Sequence, residues 1–246
     1  MFSFFKSSKV TPSLSFIGVD MHSHLLPGID DGLQKPEDTI SFMEQLHDMG
    51  YKKFICTPHI LSDVHPNTPD TILPKLELIR QMVKDNGLPV QVEAGAEYMV
   101  DLEMEALVKN DKKLMTFGDN YILIEMSYLA ASPNMEQVIF TLRMKGLKPI
   151  LAHPERYTFH HRNFAIYERY QDLGCLLQVN LLSLQGYYGE PVREIAEKLL
   201  EKKMVSLLGT DMHHATHLQA LKDLASKKSF YKKLEGQNIR NNELFG

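Results

Sequence analysis

The chain has 246 residues, of which 43% are hydrophobic and 24% charged, and its formal net charge is −4. This composition is typical of a globular protein, and the length suits one barrel or one to two smaller domains. The slight excess of acidic side chains leaves no basic surface of the kind that binds nucleic acid. Cys56 and Cys175 lie inside apolar runs, so we expect buried free thiols and a reducing compartment.

The start of the chain, residues 1–15, has three phenylalanines but only two lysines. It lacks the charged start and the long apolar core of a secretory signal. No apolar stretch of the sequence approaches the length that crosses a bilayer. We therefore expect a packed N-terminal arm, a cytoplasmic location and no direct membrane insertion.

Short apolar runs of strand length alternate with longer segments of helical period along the chain. The strand-like runs are residues 16–21, 53–57, 90–94, 121–124, 149–152, 176–180 and 205–209. Between them, apolar residues recur every three or four positions, which predicts helices at 36–49, 72–83, 101–109, 134–145, 163–173, 191–203 and 217–227. Residues 228–246, the C-terminal tail, are rich in lysine and amide side chains and are expected to be a solvated surface segment.

About seven strands and seven helices in strict alternation predict an α/β fold with a parallel sheet covered by helices. Side chains that bind metal ions follow six of the seven runs. An open doubly wound sheet gathers its site at one switch point, whereas a closed barrel collects residues from all its strand ends at one mouth. The sequence therefore favours a barrel, formed by a single domain that covers residues 1–246.

Imidazole and carboxylate side chains stand at or just beyond the ends of these runs, and there are nine of them: His22, His24, Asp31, His59, Glu97, Glu125, His153, Asp211 and His213. If the strand ends meet at one mouth, these groups would repel one another or be costly to desolvate unless cations held them. The arrangement predicts a polynuclear metal site in a hydrolase.

Each of these signals has a simpler explanation when it stands alone. His22 and His24 could be two polar residues in a turn, Asp211 has the position of a helix cap, and Glu125 could pair with a lysine. Convergence of the six strand ends is what carries the prediction. The remaining histidines have no strand-end position and are expected on the surface or in helices: His47, His65, His160, His161, His214 and His217.

Other hydrolase chemistries lack their residues in this sequence. A cysteine-dependent tyrosine phosphatase needs an arginine six positions after its thiolate, where this chain has Ser62 after Cys56 and Leu181 after Cys175. The sequence also contains no Gly-x-Ser-x-Gly elbow and no Gly-x-x-x-x-Gly-Lys loop. Metal-assisted hydrolysis is the chemistry that remains.

Five short motifs resemble those of a known family: Asp20-Met-His-Ser-His24, Ile29-Asp-Asp-Gly32, Gly95-Ala-Glu97, Ile122-Leu-Ile-Glu125 and Ala152-His-Pro-Glu-Arg-Tyr157. With the Asp-x-His pair at 211–213, they reproduce in order the ligand pattern of the PHP (polymerase and histidinol phosphatase) superfamily. Within it, the chain is most similar to the manganese-dependent tyrosine-protein phosphatases of bacterial capsule and exopolysaccharide loci. The resemblance runs from about residue 16 to 225.

This resemblance implies a distorted (β/α)7 barrel of the PHP fold that holds three divalent metal ions. Mn²⁺ is the expected metal, with Fe, Zn or Co as alternatives for a nitrogen and oxygen ligand set without sulfur. The first ion would be held by His22, His24, Glu97 and Asp211. The second would be held by Glu97, Glu125 and His153, and the third by Asp31, His59 and His213. The resemblance assigns catalytic roles to Arg156, which would bind the phosphate, and to His59 and His213.

The activity that the resemblance implies is hydrolysis of phosphotyrosine by a metal-activated hydroxide. The expected partner is the phosphorylated C-terminal tail of a bacterial tyrosine autokinase that controls polysaccharide export. The alternative is a small-molecule phosphatase of the same superfamily, such as a histidinol-phosphate phosphatase. One departure from the family pattern concerns its second phosphate-binding arginine, because the corresponding segment, residues 214–218, contains His214 and His217 instead.

Overall fold

The computed structural model describes residues 13–246, so most of the predicted N-terminal arm (residues 1–15) lies outside the described residues. Nine strands in this part of the chain are numbered β1 to β9: Val19–Asp20, Lys53–Cys56, His59–Ile60, Gln91–Ala94, Glu97–Met99, Tyr121–Glu125, Lys148–Ala152, Leu176–Asn180 and Leu207–Gly209. The α-helices, α1 to α9, are Pro36–Asp48, Pro69–Asp85, Leu102–Lys109, Met135–Met144, Ala165–Asp172, Glu190–Glu201, Ala215–Ala225, Lys228–Leu234 and Asn241–Phe245. Three short 3-10 helices cover Pro154–Arg156, Thr158–His160 and Leu181–Gln185.

All paired strands are parallel, as the sequence predicts, and they form two sheets. The first has the order β1-β2-β4, and the second has the order β3-β5-β6-β7-β8-β9. The seven predicted helices are present with ends that shift by a few residues. Their apolar positions face inward; in α1, for example, Ile40, Met43 and Leu46 are buried, which stabilises the fold by about 1.5–3 kcal/mol for each side chain.

Two predicted strands each resume beyond their predicted ends after a short break, as β3 and β5, which is why nine strands replace the expected seven. Thr57 and Pro58 separate β2 from β3, and Gly95 and Ala96 separate β4 from β5. Proline has no N–H to donate to a neighbouring strand, so the ladder breaks at Pro58. The two neighbouring segments remain hydrogen-bonded across the break, because Gly95 N donates to Cys56 O at 2.9 Å and Glu97 N donates to Pro58 O at 3.0 Å.

Backbone contacts also join the segment that follows β1 to the segment that follows β9. Ser23 and Met212 form a parallel bridge, and Asp211 N donates to His22 O at 2.8 Å. Apolar side chains on one face of the strands, from both sheets, pack together in one cluster. Its members include Val19, Ile55, Leu123, Ile150 and Leu207. The opposite strand faces pack with the helices in a larger core. Both faces of most strands are therefore buried, although β3 is half-buried and Gln91 in β4 is exposed.

The expectation of a solvated C-terminal tail is wrong. Helix α8 buries Phe230 and Leu234, and α9 buries Asn241 and Phe245. The Asn241 amide donates to Val19 O at 2.9 Å and to Leu208 O at 2.7 Å, and its oxygen accepts from Leu208 N at 3.0 Å. The tail thus ties β1 to β9 at the end of the sheet opposite the predicted metal site.

Within residues 13–246, no helix combines the length and hydropathy needed to cross a bilayer. Cys56 and Cys175 are free and buried, as the sequence predicts.

Candidate metal centre

The strands bring all nine predicted ligand residues to one mouth at the strand ends. They fall into four overlapping groups whose nitrogen and oxygen atoms lie within 4.8 Å of one another: His22 with His24 and Asp211; His22 with Glu97 and His153; His59 with Glu97 and Glu125; and His24 with Asp31, His59 and His213. Six of the nine are buried, and Asp31, at 60% side-chain exposure, lies at the opening. The shared members make this one continuous cluster.

Glu97 lies at the centre of the cluster. Its Oε2 atom is 3.3 Å from His22 Nε2, 3.4 Å from His24 Nε2 and 3.2 Å from His59 Nδ1. Its Oε1 atom is 3.1 Å from His153 Nε2. The side chain is fully buried, and neither oxygen accepts a hydrogen bond from the described residues. A buried carboxylate without a donor is costly, so this arrangement fits a cation held between the surrounding imidazoles.

Two hydrogen bonds fix the orientation of the first histidine pair. His22 Nδ1 donates to Gln178 Oε1 at 2.7 Å, and His24 Nδ1 donates to Asp30 Oδ2 at 2.8 Å. The two Nε2 atoms therefore point inward, 3.3 Å apart, towards Glu97. A partner on the outer ring nitrogen is the usual way to fix a metal-binding histidine.

Charges within the cluster shift the proton affinities of its members. Burial lowers the pKa of His22, but the carboxylates of Glu97 and Asp211 raise it more, to about 9. Burial raises the pKa of Glu97, but His22 and His59 outweigh it and hold this pKa well below its usual range. The carboxylates thus favour positive charge on the imidazoles, and divalent cations would provide that charge without protons.

The backbone at two strand ends adopts the left-handed region, which costs residues other than glycine roughly 1 kcal/mol. His153 has a φ of 32° and Asp211 a φ of 49°. Close approach also requires glycine at 209, where a Cβ atom would lie 2.8 Å from His22 Cβ. The turn from strand to loop thus aims His153 and Asp211 into the cluster.

Arg156 lies on the solvent side of the cluster, in the 3-10 helix that follows β7. Its Nη1 donates to Asp211 Oδ2 at 2.9 Å, and Asn180 Nδ2 donates to the same oxygen at 2.6 Å. A cavity of about 240 Å³ opens here, and its walls include Asp31, His59, Tyr128, Arg156, Tyr188 and His213. The described residues that line a slightly larger cavity, between the 60–69 segment and α3, include no comparable cluster of ligand atoms.

Comparisons with known proteins identify the family of this chain. The family model described as "Capsular polysaccharide synthesis, CpsB/CapC" matches residues 18–242, nearly the whole chain. The chain belongs to the CpsB/CapC family.

Relatives in this family include two proteins named as tyrosine-protein phosphatases. YwqE from Bacillus subtilis is 26% identical over 80% of this chain and 77% of its own length. CpsB from Streptococcus pneumoniae is 26% identical over 87% of this chain and 92% of its own length. Solved structures of YwqE and CpsB, described as unique metal-dependent tyrosine phosphatases, include a chain with a TM-score of 0.76, 25% identity and coverage of 92% of this chain and 93% of that one.

His217 lies in helix α7, in agreement with the sequence-based expectation of a surface or helix residue, and it also lines the cavity beside the ligand cluster. It is buried in the mouth of this CpsB/CapC protein, and its ring packs edge-on against Tyr187 and Tyr188. Its Nδ1 accepts from His213 N at 3.3 Å. Burial and the neighbouring His214 lower its pKa to about 4, so it is neutral and does not substitute for a second arginine.

Several residues of the site were not singled out in the sequence: Asp30, Tyr128, Gln178, Asn180 and Tyr188. Gln178 and Asn180 had a detectable signal, since they are two polar residues at alternate positions of an otherwise apolar strand, and alternate positions share a face. Asp30 precedes Asp31 directly, and only Asp31 is assigned as a ligand from the sequence. Tyr128 and Tyr188 lie in loops where spacing indicates nothing about direction.

Proposed function

We propose that this protein is a metal-dependent phosphomonoesterase that hydrolyses phosphotyrosine in proteins. The observation that carries the proposal is the fully buried Glu97 carboxylate, which lies 3.1–3.4 Å from nitrogens of four imidazoles and beside a cavity that Arg156 lines. The activity of the relatives YwqE and CpsB supports the same reaction.

The proposed cofactors are three divalent metal ions, with Mn²⁺ as the first choice. The first ion is assigned to His22, His24, Glu97 and Asp211, the second to Glu97, Glu125 and His153, and the third to Asp31, His59 and His213. The overlapping groups of ligand atoms support this assignment. His59 Nδ1 also lies 3.0 Å from Glu125 Oε1, so His59 stands between the second and third positions.

When bound, such ions lower the pKa of water towards neutrality and neutralise phosphoryl charge. The guanidinium of Arg156 binds the phosphoryl oxygens, and Asp211 orients that guanidinium through their hydrogen bond. The departing tyrosyl oxygen has a pKa of about 10, so it leaves without a proton donor far more readily than a serine alkoxide. The residues of the mouth therefore suit an aryl phosphate ester.

We further propose that the two sheets form one distorted (β/α)7 barrel and a single domain. The interrupted pairs β2/β3 and β4/β5 each count as one strand, which gives seven strand positions. The Ser23–Met212 bridge, the Asn241 side chain between β1 and β9, and the apolar cluster shared by both sheets support closure.

The proposed partner is the phosphorylated C-terminal tail of a tyrosine autokinase that controls polysaccharide export, in the cytoplasm. The family's link to capsular polysaccharide synthesis supports this proposal. The net charge of −4 disfavours nucleic acid as a substrate.

Chelation is the test of this function. Protein treated with EDTA and dialysed should lose hydrolysis of a phosphotyrosine peptide, and added Mn²⁺ should restore it. Histidinol phosphate, assayed in parallel, should be hydrolysed more slowly, since its alkoxide is a poorer leaving group. Activity that survives complete metal removal would reject the metal-dependent mechanism, and faster turnover of histidinol phosphate would favour the small-molecule alternative.

A further inference from the structure

Two tyrosines enclose the guanidinium of Arg156. The Cζ atom of Arg156 lies 4.5 Å from the ring centre of Tyr128 and 4.2 Å from that of Tyr188. The two rings come from separate loops, one after β6 and the other after the 3-10 helix Leu181–Gln185. Cation–π contacts with two rings restrict the direction in which the guanidinium points.

The enclosed guanidinium keeps most of its donors free. Within residues 13–246, its one hydrogen bond is the bond from Nη1 to Asp211, and 22% of the Arg156 side chain is exposed. Guanidinium has five N–H groups, so the remaining donors are available to an anion in the cavity.

The hydroxyl of Tyr128 lies beside the cluster of ligand atoms. It is 3.3 Å from His153 Nε2, the ring nitrogen that also faces Glu97 Oε1. The Nε2 lone pair can accept a proton donor or bind a cation, but not both. When His153 binds a cation, the Tyr128 O–H is therefore released to donate to an anion on the solvent side.

The mouth has a shortage of positive side chains for an anionic substrate. Arg156 is the one arginine or lysine among the described residues that line the cavity. His214 Nδ1 accepts from His217 N at 3.4 Å and so caps α7. A neutral side chain can supply a further hydrogen-bond donor to a phosphoryl group.

We propose that Tyr128 is a substrate-binding residue whose hydroxyl donates to the phosphoryl group, and that Tyr188 is a positioning residue that acts by holding Arg156 against Tyr128. The inference rests on the proposed function, because it names further residues for the same site. The Tyr128 hydroxyl would then donate to the phosphoryl group in place of a second cationic side chain.

Removal of the hydroxyl alone tests the role of Tyr128. Tyr128→Phe keeps the ring on Arg156, so Mn²⁺-loaded protein should bind inorganic phosphate roughly tenfold more weakly, as expected for a lost hydrogen bond to a charged group. The KM for a phosphotyrosine peptide should rise with it. Calorimetry and steady-state kinetics measure the two effects, and Tyr187→Phe is the matched control, because Tyr187 contacts Tyr188 and His217 but not Arg156.

Removal of the ring tests the role of Tyr188. Tyr188→Leu should weaken phosphate binding about threefold to tenfold, since the guanidinium loses one cation–π partner. In an Arg156→Ala background, the same Tyr188→Leu change should have no further effect, whereas Tyr128→Phe should still weaken phosphate binding. A structural role for Tyr188 independent of Arg156 would give the same loss in both backgrounds and would overturn its assignment.

The measurements separate this inference from the proposed function. If wild-type protein fails to hydrolyse the peptide but Tyr128→Phe still weakens phosphate binding, the function is wrong and the inference stands. If the peptide is hydrolysed but Tyr128→Phe binds phosphate as tightly as wild type, the inference is wrong and the function stands. Loss of bound Mn²⁺ in Tyr128→Phe, measured by mass spectrometry, or no phosphate binding by wild type, would also overturn the inference.

Discussion

Glu97 shows why single residues of this site need partners beyond the ligands themselves. Its carboxylate is fully buried among four imidazoles, at distances of 3.1–3.4 Å. A hydrogen bond to the outer nitrogen of an imidazole ring turns its inner nitrogen towards a cation. Asp30 and Gln178 hold the outer nitrogens of His24 and His22. These two residues are therefore expected to control metal affinity without contacting an ion.

Asp30→Asn tests this expectation. One carboxylate oxygen accepts from His24 Nδ1 at 2.8 Å, and the other accepts from Gly32 N at 2.9 Å. An amide is uncharged and has only one acceptor oxygen, so it cannot replace both bonds. We expect Mn²⁺ affinity to fall by roughly 10–100-fold, the usual effect of losing a partner of a ligand. Calorimetric titration of chelated protein measures it, with Asp119→Asn as the control, because Asp119 is 80% exposed and pairs only with Lys148. An unchanged affinity in Asp30→Asn would mean that Asp30 does not position His24.

At the residue scale, the sequence predicts well that the nine candidate side chains converge, but it predicts their supporting residues poorly. The nine ligand candidates are visible because donor side chains follow apolar runs, and parallel strands bring those ends together. The direction of the Tyr128 side chain depends on the conformation of a loop. The burial of His217 depends on its packing against Tyr187 and Tyr188. Neither is encoded in a local pattern.

At the scale of elements, helix α9 connects the two ends of the strand order. The Asn241 side chain makes three hydrogen bonds to the backbone of Val19 and Leu208, where β1 and β9 share no ladder. Phe245 packs against Phe117 and Tyr121 in the apolar cluster at the same end. The last helix therefore takes the place of strand pairing at the end of the sheet away from the metal site.

Asn241→Ala should lower the free energy of unfolding by about 2–4 kcal/mol, because it leaves buried backbone groups of β1 and β9 unpaired. Urea unfolding followed by circular dichroism measures the change. Glu243→Gln is the control on the same helix, since Glu243 is exposed and pairs only with Arg240. A loss in Asn241→Ala no larger than in the control would show that α9 does not stabilise the junction.

The elements themselves were predictable where periodicity is long. Helix α1 begins at Pro36, followed by acidic residues, and its buried positions follow the apolar stripe. The tail was not predictable in the same way. Helices α8 and α9 have seven and five residues, too few for a periodic pattern, and their burial depends on single residues such as Phe230 and Asn241. The break between β2 and β3 coincides with Pro58, which the sequence shows, whereas no proline marks the break between β4 and β5.

At the scale of the whole molecule, the strand arrangement concentrates ionisable groups that no ordinary core would hold. Glu97, His22, His24, His153 and Asp211 are all at most 2% exposed, and they lie in one cluster. Bound cations would convert mutual repulsion and desolvation into attraction, so metal binding and folding are expected to be coupled. We therefore expect the fold and the proposed activity to depend on the same set of residues.

The central claim is that divalent cations bind at the buried cluster around Glu97. Anomalous diffraction at the manganese absorption edge, from crystals grown with Mn²⁺, tests it most directly. We predict peaks within about 2–2.3 Å of the Glu97 carboxylate oxygens and of the inward-facing nitrogens of His22 and His153, the distances usual for nitrogen and oxygen ligands of such ions. A further peak is expected between Asp31 and His213. Maps with no anomalous peak at Glu97, or with Mn²⁺ bound only elsewhere on the protein, would contradict the account.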